Sequence, residues 1–109
     1  MHILGVPFTV TSWDEITPVE QGGESGTALV RTIEIGNVRV RMVEYSAGYS
    51  ADHWCNRGHV VLILEGEVAM ELSDGRTFSL VSGTSFQVAD DIDPHRSYAK
   101  TAAKVFIVD

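Results

Sequence analysis

The sequence predicts an all-β domain, and three observations predict it. Apolar and polar residues alternate with period two through much of the chain. Turn-forming residues recur about every 8 to 12 residues, the rhythm of a sandwich or barrel. Helix signals are confined to one short stretch. There Trp13-Asp14-Glu15-Ile16-Thr17-Pro18 follows Ser12, so that Ser12 and Glu15 have the form of a capping box and Pro18 stops the turn.

Taken in order, Gln21 to Gly26 has three glycines and no large apolar residue, and reads as a mobile loop. Ala28 to Ile35 is rich in β-branched residues and runs into Gly36-Asn37, a hairpin turn. In the next strand Val38, Val40, Met42 and Glu44 alternate with Arg39, Arg41, Val43 and Tyr45. If the first set faces inward, Glu44 is a carboxylate inside the barrel, able to support a ligating histidine or act as a general base. If Glu44 lies at a strand end in solvent, Arg39 and Arg41 line the outer surface. Val60 to Leu64 is a continuous apolar run, expected to be a strand covered on both faces. Glu65-Gly66-Glu67 turns the chain and Val68 to Leu72 returns it. Ser73-Asp74-Gly75 is a tight turn, because Asp-Gly accepts the positive φ angles required there. Thr77 to Val81, Ser85 to Val88, Arg96 to Ala99 and Val105 to Val108 complete the strands.

At 109 residues the chain is expected to form one domain, with an N-terminal arm over about residues 1–27 and the barrel over about 28–109. A hydrophobic content of 44% supports one core. The net charge of −7 argues against nucleic acid, whose phosphates need Lys and Arg. No apolar run approaches the roughly 20 residues of a membrane span, and the N-terminus lacks the basic start of a signal peptide. One cysteine cannot form an intrachain disulfide, which fits a reducing compartment and a cytoplasmic location.

Three of the four histidines and the only cysteine fall in two short segments, Asp52-His53-Trp54-Cys55 with His59, and Asp93-Pro94-His95-Arg96. On a strand His53 and Cys55 share a face, with Asp52 and Trp54 opposite. Trp54 then reads as a packing or dimer-contact residue, Asp52 as a turn former or partner of a nearby base, and Arg96 as half of a surface ion pair. Imidazole and thiolate are the side chains that bind borderline and soft metals best.

These segments resemble the paired motifs of the cupin superfamily, whose first motif is a glycine, a His-x-His pair, a glutamate and a second glycine. Counting back seven from Gly66 reaches His59, four more reaches Cys55 and two more reaches His53, so the spacing matches. The residues differ: Cys55 stands for the second histidine and His59 for the glutamate. Gly48 is one place closer to His53 than the family glycine. The second motif runs from Gly83 through Val88 to Pro94-His95, with His95 displaced by one residue. More narrowly, Ala51 to Cys55 and Tyr98 to Asp109 are similar to uncharacterised single-domain cupins with an Asp-His-Cys-Trp-type signature. The resemblance spans at least Val38 to Asp109.

It implies a jelly-roll β-barrel of two antiparallel sheets, with His53, Cys55, His59 and His95 converging inside on a divalent transition metal (Zn, Fe, Cu or Ni). If all four bind, the shell is closed, as in structural zinc sites. If the three histidines bind and Cys55 is held back, a position stays open for water or substrate. The implied function is a metal-dependent enzyme acting on a small polar molecule. The alternatives are a non-catalytic module for a metal or small ligand, and a barrel that serves oligomerisation. A homodimer is also implied, with Val105 to Val108 and Val6 to Val10 as candidate edges.

Overall fold

A computed structural model describes residues 1–109. It contains a single 3-10 turn, Trp13–Glu15, and ten strands: β1 Val19–Gly22, β2 Thr27–Ile35, β3 Val38–Tyr45, β4 Tyr49–Ser50, β5 His59–Glu65, β6 Glu67–Leu72, β7 Thr77–Val81, β8 Ser85–Val88, β9 His95–Ala99 and β10 Ala103–Val108. They form two sheets, a six-stranded one ordered β1-β2-β3-β10-β5-β8 and a four-stranded one ordered β4-β9-β6-β7. Every pairing is antiparallel. This is a jelly-roll arrangement whose ladders remain two sheets rather than closing into one.

The two inner faces supply the core. Ile63, Val68 and Val105 are the largest fully buried side chains, and they come from β5, β6 and β10. Alternation then fixes what else points inward: Ala28 and Val30 from β2, Val43 from β3, Ala99 from β9, Ile107 from β10. The other face of the large sheet is partly covered by the N-terminal residues. Trp13 sets its ring edge-on to Phe106, with centroids 6.2 Å apart, and Arg31 Nε donates to the Ile16 carbonyl at 3.1 Å.

Several expectations need correction. The segment Gln21 to Gly26 is not a free loop, because Gln21 and Gly22 belong to β1 and pair with Ala28 and Thr27. Ser12 makes no side-chain cap; only its carbonyl accepts, from the Glu15 N–H at 3.0 Å. Val60 is 37% exposed, so β5 is fully covered on one face only. Val105 to Val108 cannot be a dimerisation edge, since β10 lies between β3 and β5 with both edges paired. Val6 to Val10 lies outside every strand.

The face assignment of β3 also changes. Val43 is buried in the core, so Arg39, Arg41 and Tyr45, which share its parity, face inward. Glu44 is on the outer face, 3.6 Å from Arg31 and 3.7 Å from Lys104. Exposure of Glu44 therefore does not put Arg39 and Arg41 outside. They are inward because a buried carboxylate awaits them, as described next.

Candidate metal centre

Strand β5 begins at His59 and β9 begins at His95, so each imidazole stands at the first inward position of its strand. The loop between β4 and β5 brings Cys55 alongside. Its N–H donates to the His95 carbonyl at 2.7 Å, and the His95 N–H donates to the Cys55 carbonyl at 3.0 Å. That reciprocal pair stitches the cysteine to the strand carrying His95. The donor atoms of Cys55, His59 and His95 all lie within 4.8 Å of one another.

The hydrogen bonds behind the two rings determine which nitrogens are free. His95 Nδ1 is 2.9 Å from the Asp93 carbonyl, which can only accept, so Nδ1 carries the proton. His59 Nδ1 faces the Asp109 carboxylate at 3.4 Å, again an acceptor. Each neutral ring therefore presents its Nε2 lone pair, and the two Nε2 atoms are 2.8 Å apart. Two lone pairs at that distance repel unless a proton or a cation lies between them. Burial, followed by the neighbouring His95, pushes the His59 imidazole below its ordinary value, which disfavours the proton. Phe86 places its ring edge-on to both imidazoles, 5.8 and 5.7 Å between centroids, and keeps them out of bulk water.

Asp109 is the carboxylate of this end of the barrel, and its side chain is 1% exposed. It follows Ile107 on the inward parity of β10, and its backbone pairs with Arg39 at 2.7 and 2.9 Å. Arg39 grips it with two bonds, Nε to Oδ1 at 2.8 Å and Nη2 to Oδ2 at 3.0 Å. Arg41 Nη2 adds a third at 3.0 Å, and Arg57 Nε stands at 3.4 Å. Burial pushes the Asp109 carboxyl up, but the Arg39 bonds and the charges of Arg41 and Arg57 outweigh it and hold it at about 2. It is thus always ionised near neutrality and fixes the tautomer of His59, the orienting role that outer partners play at metal sites. Composition alone does not reveal it; only the pairing of β3 with β10 brings Arg39 and Arg41 to Asp109.

His53 is elsewhere. Residues 53 and 54 lie outside any strand, so period-two alternation does not apply to them. The His53 side chain is 77% exposed and its Nδ1 is 2.6 Å from Asp52 Oδ1. It lines the rim of the same cavity without joining the cluster of three. Asp52 is accordingly the partner of a nearby base. Trp54 packs within the chain, beneath the Arg96 guanidinium at 4.4 Å, and Arg96 also pairs with Glu71 at 3.2 Å.

The cavity behind the cluster has a volume of about 160 Å³ and is walled by core residues of both sheets. Tyr45 and Tyr49 stack within it at 4.5 Å. Burial and the neighbouring Tyr49 push the Tyr45 phenol up to about 12, so it remains a protonated donor. A second hollow of about 340 Å³ opens between β6, β7 and β8 and reaches His95 from the other side.

The donor set fits a transition metal. Two imidazole nitrogens and a thiolate suit Zn, Fe, Cu or Ni and disfavour Mg and Ca, which take oxygen ligands. The facing Nε2 lone pairs are the structural sign of that fit.

No family model and no curated protein matches the chain. Solved structures do. Fe(II)-HppE with the alternative substrate (S)-1-HPP superposes with a TM-score of 0.76 at 16% identity, covering 94% of this chain and 60% of that one. A predicted oxalate decarboxylase from Thermotoga maritima gives 0.75 at 15% identity, over 92% of this chain and 96% of that one. A cupin-2 domain protein from Shewanella frigidimarina gives 0.59 at 18% identity, over 73% and 78%. Identities this low establish architecture alone. Two antiparallel jelly-roll sheets, superposed on these neighbours over most of the chain, show that this chain shares their cupin-type fold.

Proposed function

We propose that the cavity end of the barrel binds one divalent transition metal through His59, His95 and Cys55, and that this centre acts on a small polar molecule. The observation that carries the reading is the 2.8 Å approach of two imidazole nitrogens whose other nitrogens are both engaged by acceptors. Three protein donors leave a coordination position free for water or ligand, as catalytic sites do. An ion there supplies Lewis acidity to an oxygen bound beside it. The protein's own groups do the rest: Asp109 holds His59 in its tautomer, Phe86 excludes water, and Tyr45 offers a hydroxyl proton. His53, at the rim, belongs to the entrance rather than to the inner donors. Metal-bearing structural neighbours such as Fe(II)-HppE are consistent with this use of the fold. A homodimer would form through the free edges of β1, β4, β7 or β8.

Elemental analysis of untagged protein purified without chelators tests the proposal. Wild type is expected to carry one metal per chain, and His59→Ala and His95→Ala to lose it while staying folded. His53→Ala is expected to keep it. Folded wild-type protein that takes up none of Zn, Fe, Cu or Ni would overturn the reading in favour of a purely organic ligand site.

A further inference from the structure

The polar lining of the 160 Å³ cavity has a one-sided charge. Its cationic groups are Arg41 and Arg96, and no Asp or Glu lines it, in a protein whose net charge is −7. Among the buried side-chain nitrogens and oxygens, Arg41 Nε is the one without a hydrogen-bond partner. The guanidinium spends Nη2 on Asp109 and leaves Nε unpaired. An unsatisfied buried donor on a charged group is costly, and it is tolerated where a ligand supplies the acceptor. Nor does Asp109 neutralise its surroundings: three guanidiniums, from Arg39, Arg41 and Arg57, share that single carboxylate. Positive charge therefore remains in excess beside the imidazole pair.

We infer that the cavity takes a small organic carboxylate, received by the Nε–H of Arg41. Arg41 Nε lies on the same edge of the guanidinium as Nη2, which holds Asp109, so it offers the ligand one charge-assisted hydrogen bond rather than a two-point grip. The volume is well below the roughly 300–1,000 Å³ of drug-sized pockets, which limits the ligand to a few heavy atoms. A second polar atom of such a ligand faces Cys55, His59 and His95, and only that contact rests on the metal reading proposed above. The apolar walls from Val43, Val61 and Val105 suit the short hydrocarbon between the two polar ends.

Malonate, its neutral diamide malonamide and inorganic phosphate are the probes, each titrated calorimetrically into metal-free and Zn-loaded protein. Malonate is expected to bind both forms, more tightly with Zn, and malonamide about tenfold or more weaker. Arg41→Gln is expected to weaken malonate binding to the metal-free protein by about tenfold or more. If Arg41→Gln fails to fold, Arg41→Lys keeps a charge opposite Asp109, removes the Nε donor, and carries the same expectation. If neither folds, the wild-type comparison of malonate with malonamide decides. Equal binding of the two, no binding of malonate, unchanged malonate affinity in a folded Arg41 variant, or phosphate binding tighter than malonate each overturns the inference. Zn uptake without malonate discrimination sinks this inference alone; malonate discrimination without Zn uptake sinks the metal reading alone.

Discussion

Asp109 governs this end of the molecule through charge. Its carboxylate is buried against Arg39 and Arg41, and removing one member of such a group leaves uncompensated charge behind. The sign of its pH dependence follows from its depressed value. The unfolded carboxyl titrates near 3.8 and the folded one at about 2. The stabilisation is therefore complete above about pH 4 and is lost as pH falls toward 2. A difference of nearly two pH units, at about 1.4 kcal/mol each, amounts to about 2 kcal/mol. Asp109→Asn should lower the unfolding free energy at pH 7 by at least that amount and remove this part of the acid slope, as read by urea melts from pH 7 to pH 2. A variant as stable as wild type at pH 7 would show that the arginines find other partners. Glu44, which the sequence also offered as an inner carboxylate, pairs with Arg31 and Lys104 at the surface and has no such leverage.

Among the elements, the β5–β6 hairpin shows what a motif glycine does. Gly66 adopts φ +76°, and a Cβ there would stand 2.4 Å from the Ala102 carbonyl oxygen. The turn thus needs glycine twice, for its left-handed backbone and for the close approach of the chain leading into β10. Gly66→Ala should destabilise by about 1–3 kcal/mol, measured as a shift in the urea midpoint with unchanged slope. The strands themselves were legible because alternation and turn residues are local signals: Thr77–Val81 and Ser85–Val88 fall where the sequence places them. What local signals lack is pairing. Alternation in β3 offered two faces of mixed polarity, and only the neighbours of Val43 in the core decide between them. β1 and β4 are short and polar, and exist because β2 and β9 offer them an edge. His53 illustrates the same limit: two-residue spacing put it beside Cys55, but the segment bends, and the ring turns to Asp52.

At the scale of the whole molecule, two sheets of unequal size bring together donors far apart in sequence. His59 and His95 are 36 residues apart along the chain, yet their Nε2 atoms are 2.8 Å apart because β5 and β9 face one another across the interior. The family spacing that links Cys55, His59 and Gly66 makes part of this cluster readable, while Asp109 and the unpaired Arg41 Nε emerge only from the folded chain. Cobalt substitution tests the assembled centre most directly, because Co(II) reports its own ligands by absorption. The account predicts one Co(II) per chain with a thiolate charge-transfer band that disappears in Cys55→Ser, and loss of Co(II) binding altogether in His59→Ala and His95→Ala. A spectrum indistinguishable from hydrated Co(II), in protein shown to be folded, would contradict it.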